Sequence, residues 1–101
     1  MDSAPNSNFE VPISGAIREL LIRIHDQAAN EGQRDEFLVA LRSISSRLRT
    51  DPVTFGEEVF DLKSLHLTIK VAVILPLTVE FGVYLDRRLV FIRSFRYIPP
   101  A

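Results

Sequence analysis

The feature that most constrains this chain is a proline set between two alternating apolar runs. The stretch VAVILPLTVEF, residues 71–81, is its most apolar segment, with Pro76 in the middle. The uncharged run extends from Val71 to Val79, between Lys70 and Glu80, whereas a membrane-spanning helix needs about 20 apolar residues. A buried helix would carry Pro76 at its centre, at a cost of about 3 kcal/mol. Two strands joined at a proline bend remain. Leu65, Leu67, Ile69, Val71 and Val73 alternate with His66, Thr68, Lys70 and Ala72. Leu77, Val79, Phe81, Val83 and Leu85 alternate with Thr78, Glu80, Gly82 and Tyr84. Both runs read as half-buried strands with the aliphatic sets turned inward. Leu75 is biased towards extended backbone by the proline that follows it.

The rest of the chain supplies what such strands pack against. Asp86-Arg87-Arg88 makes a tight turn into a third strand, Leu89 to Tyr97, which Pro99 and Pro100 end. That strand is apolar on both faces for part of its length, which predicts a central place in the sheet. Upstream, Ile17, Leu20, Leu21, Ile24 and Ala28 recur at helical spacing behind Ser14, a plausible N-cap. Asn30-Glu31-Gly32 breaks this helix. A second helix runs from about Arg34 to Arg49 on the stripe Phe37, Leu38, Leu41, Ile44 and Leu48. Its acids Asp35 and Glu36 come first and its bases Arg47 and Arg49 last, which suits the helix dipole. Thr50-Asp51-Pro52 stops it. Phe9, Val11 and Ile13 alternate around Pro12, as in a short strand that the proline confines to a sheet edge or a strand end. The expected order is a short N-terminal strand, an antiparallel two-helix hairpin, and a three-stranded antiparallel meander with the helices on one side. This is an α+β domain spanning residues 9–98, behind a frayed tail at residues 1–8.

Composition narrows the function classes. A 101-residue chain is one domain. Without cysteine it has no disulfide, thiolate metal site or cysteine nucleophile, and it suits a reducing cytoplasm. Two histidines in different elements predict no metal site. MDSAPNSNFE has neither the basic patch nor the apolar stretch of a signal peptide. Neither a glycine-rich phosphate loop nor a Gly-x-Ser-x-Gly occurs, so no nucleotide or other cofactor is expected. Charge is uneven. Residues 51–61 hold four acids and no base, whereas residues 62–101 hold six bases against Glu80 and Asp86.

On the alternation, His66, Thr68, Lys70, Glu80 and Tyr84 face away from the helices. If Val90, Ile92 and Ser94 pack inward, then Phe91, Arg93, Phe95 and Tyr97 join that outer face. A face mixing bases with aromatics can bind single-stranded RNA by phosphate pairing and base stacking. Its arginines can stabilise charge on a transferring phosphate, and His66 has the chemistry of a general acid or base. The alternatives are a solvated face with Lys70 and Glu80 as a cross-strand pair, or a face covered by a partner. Tyr84, Phe91 and Phe95 would make an exposed patch of the kind that marks a protein partner or a dimer. Gly56-Glu57-Glu58 reads as an acidic solvated turn, which opposes nucleic acid.

Across residues 9–97 the order of elements resembles the RelE/ParE toxin superfamily of bacterial toxin–antitoxin systems. The segments that carry the resemblance are LRTDPVTFGEEVFDLKSLHLTIKVAV and the final RRLVFIRSF. It implies a cytoplasmic toxin-like protein, neutralised by an antitoxin and acting on the ribosome and its messenger RNA or on DNA gyrase. Carried over by position, an endoribonuclease of this kind would use Lys70, Arg93 and Arg96, assisted by His66 or Tyr97. The set is incomplete. The arginine that would open the second meander strand falls near Leu77 or Thr78 and is absent, and Thr68 stands where a second strand lysine would be. The other expectation is a non-enzymatic interaction or dimerisation module of the same fold.

Overall fold

A computed structural model of the chain describes residues 8–100. Residues 1–7 of the expected tail lie outside the described residues. Two helices, α1 (Gly15–Asn30) and α2 (Arg34–Thr50), precede four strands, β1 (Glu57–Leu62), β2 (Leu67–Ile74), β3 (Leu77–Tyr84) and β4 (Leu89–Tyr97). The strands form one antiparallel sheet in the order β1-β2-β3-β4. The helices cover one face of it, as expected of an α+β domain.

The helix signals in the sequence act as anticipated. The Ser14 hydroxyl accepts a hydrogen bond from the Ile17 N–H at 3.1 Å, which satisfies one orphan donor of the first turn. At the other end of α1, Gln33 N–H donates to the Ala28 carbonyl and Gly32 N–H to the Ala29 carbonyl. This pair of bonds is the Schellman closure of a helix C-terminus. The apolar stripes bury Ile17, Ile24 and Ala28 from α1 and Phe37, Ala40, Ile44 and Leu48 from α2. Against them pack Ala72, Leu77, Val79, Phe81, Val83, Val90 and Phe95 from the sheet.

Several details of the sheet differ from the expectation, each for a local reason. The N-terminal strand is reduced to a single parallel bridge between Glu10 and Leu89. Glu10 exchanges both of its backbone bonds with β4 and the turn before it, but Pro12 has no N–H with which to extend the ladder. The sheet gains a strand, β1, in the stretch that reads as an acidic turn. It pairs along β2 from Glu57↔Val71 to Leu62↔Leu67. Leu65 is not in a strand: it lies in the short 3-10 turn Lys63–Leu65, and His66 leaves that turn with φ of 53°. β4 is an edge strand rather than a central one.

The larger correction concerns which face is inside. The Leu75–Pro76 bond is cis and the hairpin loop is two residues long, so Ile74 pairs with Leu77. Directly paired residues share a face. Odd-numbered residues of β3 therefore lie beside even-numbered residues of β2. With Leu77, Val79, Phe81 and Val83 against the helices, their partners Ile74, Ala72, Lys70 and Thr68 face the helices too. Leu67, Ile69, Val71 and Val73 are left on the outer face. β4 makes a second change of parity. Val83 pairs with Val90 and Phe81 with Ile92, but Glu80 pairs with Ser94. Arg93 is the extra residue of a bulge. Beyond it Phe95 and Tyr97 turn towards the helices, while Ser94 and Arg96 turn outward.

Candidate functional site

The outer face of the sheet is apolar, and no element among the described residues lies across it. One row runs Leu62, Leu67, Tyr84, Leu89 and the next Phe60, Ile69, Gly82, Phe91. Phe60 is 58% exposed, Leu62 43% and Val73 56%. Leu67 and Ile69 are buried even so; they stand on the central strand β2, flanked by Leu62 and Phe60 of β1 and by Tyr84 and Gly82 of β3. A groove of about 410 Å³ lies among Phe60, Leu62, Leu67, Ile69, Phe91 and Arg93.

Gly82 shapes this surface. The Phe91 ring lies across it, and a Cβ at position 82 would come within 2.4 Å of the ring. The absent side chain leaves room for the Phe91 ring over β3, beside the Tyr84 ring, whose centroid is 5.8 Å from its own at a tilt of 40°. Charge enters the face in the row that follows, which crosses the sheet through Glu57, Val71, Glu80 and Ser94. Arg93 pairs with Glu80 at 3.0 Å, the Arg87 guanidinium stands 5.3 Å over the Tyr84 ring, and Glu57 and Arg96 lie at opposite edges of the sheet.

The five residues considered for catalysis do not converge. Lys70 is on the helix face, buried, and its Nζ donates to the Val53 carbonyl of the loop after α2. Burial holds its pKa below the usual lysine value, opposed by the charges of Glu58 and Asp51. A small pocket of about 110 Å³ beside it is lined by Val53, Glu58, Thr68, Val83 and Leu85. Tyr97 also faces the helices, with its hydroxyl donating to Glu31 Oε1 at 2.7 Å. Its pKa is pushed up to about 12, by burial first and then by that bond and the negative charge of Glu31. His66 is exposed in the turn before β2. Arg93 and Arg96 alone among the five share a strand and a face. Lys70 does not pair with Glu80, since it stands opposite Phe81 and Glu80 stands opposite Val71. Among the described residues no cluster of His, Asp or Glu could hold a metal ion.

Of the aromatics expected on the outer face, Tyr84 and Phe91 are there. Phe95 is in the core, 4% exposed, because the Arg93 bulge turns it inward. The residues that complete the patch, Phe60, Leu62, Leu67 and Ile69, fall outside that expectation. The period-two spacing of Phe60 and Leu62 is the signal that marks them, once the segment is read as a strand rather than a turn. No helix among the described residues is long and apolar enough to cross a membrane. Comparison of the chain with protein-family models, with curated proteins and with solved structures finds no match in any of the three.

Proposed function

We propose that this chain is a non-enzymatic protein-interaction module of the cytoplasm, with the outer sheet face as its binding surface. One observation carries the reading: the sheet has contiguous apolar rows on both sides, and the helices cover one side only. Contiguous apolar surface of this extent, bordered by a charged row, marks a site where another protein sits. The scatter of the five candidate catalytic groups supports the same reading, since phosphate cleavage requires its acid, base and charge-stabilising groups around one reacting phosphorus.

The test is site-specific photo-crosslinking in the cells that make the protein. A benzophenone side chain at position 60 samples the outer face; one at position 39, on the exposed side of α2, is the control. Discrete protein adducts from position 60 and none from position 39 are expected. Adducts from position 39 alone, or none from either, would remove the proposal.

A second reading, a toxin-like protein of the RelE/ParE kind, is favoured by the observed order of a helix hairpin followed by an antiparallel meander, and by Arg93 and Arg96 sharing the outer face. In that reading an antitoxin covers the apolar rows. Inducible expression of the chain alone in a bacterial host tests it. Growth arrest with new transcript 5′ ends supports ribonuclease action. Arrest without cuts supports a target such as gyrase. Normal growth with soluble protein eliminates the toxin reading.

A further inference from the structure

We infer that the occupant of the outer face is a second copy of this chain, packed sheet on sheet with β1 of each copy over β4 of the other; this rests on the proposed interaction function. The inference starts from how charge is laid across the sheet. β1 carries Glu57, Glu58 and Asp61 and no base, whereas β4 carries Arg93 and Arg96 and no acid. These strands are the two edges of the sheet. Across a row, Glu57 pairs with Val71, Val71 with Glu80, and Glu80 with Ser94, next to Arg93. Glu58 and Asp61 pair with Lys70 and Thr68 and so lie on the helix side, which leaves the outer face with Glu57 at one edge, Arg93 and Arg96 at the other, and Glu80 between them on Arg93, with apolar rows beside that charged one.

Three self-associations are open to such a surface, and charge separates them. Edge-to-edge pairing through β1 would set three acids of one strand beside three of the other. Face-to-face packing about an axis across the strands would lay β1 on β1 and β4 on β4, which gives Glu57 no basic partner and Arg93 and Arg96 no acidic one in the other copy. Face-to-face packing about an axis along the strands lays β1 on β4 and keeps each row over its own counterpart. Glu57 then meets Arg93 of the other copy, twice per dimer by symmetry. Phe60 meets the other copy's Phe91, and Leu62 meets its Leu89. Sheets stacked in this way sit about 10 Å apart with their apolar side chains interdigitated. Arg93 reaches Glu57 of the other copy while keeping Glu80, and Arg96 has no ion pair among the described residues, so the basic edge has capacity left.

Sedimentation velocity of the full chain from about 1 to 200 µM tests this, with the two charge variants Glu57→Arg and Arg93→Glu. Both positions are exposed, and circular dichroism confirms that each variant is folded. The wild type is expected to dimerise. Each variant alone should dimerise at least tenfold more weakly, because two opposite-charge contacts become two like-charge contacts. An equimolar mixture of the two variants should recover dimerisation, since the heterodimer restores an opposite-charge pairing. A wild type that stays monomeric at 200 µM, or a dimer indifferent to both variants, would overturn the inference. The adducts from position 60 separate this failure from failure of the interaction reading. Adducts of twice the 11.5 kDa chain mass support the second copy. Adducts of another mass overturn it and leave the interaction reading standing, and no adducts overturn both.

Discussion

Phe91 and Phe95 are four residues apart on one strand, and unbroken alternation would put them on the same face with similar environments. The bulge at Arg93 predicts that they behave differently when truncated. Phe95 is 4% exposed and sits opposite Val79 within the core that α1 and α2 cover. Phe95→Ala removes a buried ring and leaves a cavity that the flanking helices cannot fully close, a loss of about 3–5 kcal/mol. Phe91 is half-buried on the outer face, where it covers Gly82 and touches Tyr84. Phe91→Ala forfeits a cross-strand contact and an aromatic pair, together about 1–2 kcal/mol. The gap between the variants is thus roughly 2–3 kcal/mol, a large share of the about 5–15 kcal/mol that holds a domain of this size together. Urea unfolding followed by far-ultraviolet circular dichroism at low micromolar protein measures it, low enough that association contributes little. With a slope of about 1.5 kcal/mol/M, Phe95→Ala should lower the midpoint by about 2–3 M and Phe91→Ala by about 1 M. Equal losses, or a larger loss at Phe91, would refute the bulge and the face assignment that follows from it.

Other consequences concern single sites. Gly56 has φ of +79°, and a Cβ there would lie 2.5 Å from the Val71 carbonyl oxygen, so Gly56→Ala should destabilise the domain by about 1–3 kcal/mol and loosen β1 in hydrogen exchange. In a Tyr84→Phe background the remaining tyrosinate absorbance at 295 nm should titrate near 12, and move towards 10 when Glu31→Ala removes the acceptor. Because the folded pKa of Tyr97 lies above its unfolded value, the stability it adds is fully present below about pH 10 and is lost as pH rises towards 12. Lys70 acts in the opposite sense. Its folded pKa is lowered by burial, so the unfolded chain binds more protons just below pH 10.5 and stability rises with pH there. Lys70→Met should abolish that rise in denaturation measured from pH 8 to 10.5.

The two helices and their ends were legible because their signals are local. Ser14 caps within three residues, and the stripes of α1 and α2 repeat every turn. The alternation of β2 and β3 was equally plain, but alternation identifies two faces without saying which is inside. That choice depended on the hairpin loop. With Leu75 and Pro76 as its two residues, Val73 and Leu77 cannot share a face, so the aliphatic set of one strand had to lie outside. Lys70 moved inward with that choice, away from Arg93. Phe95 turns inward because the bulge inserts one residue into β4 without any glycine or proline to announce it. β1 was hidden because Glu57, Glu58 and Asp61 read as solvated turn, although Phe60 and Leu62 already carry the strand period. Parity therefore scatters Lys70, Tyr97 and Arg93 over two faces of the sheet, and only the register gathers Phe60, Leu62, Leu67 and Phe91 onto one.

Phe60→Arg tests most directly whether the outer face serves binding rather than folding. Phe60 is 58% exposed on an edge strand, so the substitution should cost at most about 1 kcal/mol in urea unfolding. The same variant should lose association in sedimentation and the adducts formed from neighbouring outer-face positions. A loss of several kcal/mol in unfolding free energy with association intact would mean that the face holds the fold together and is not a binding surface.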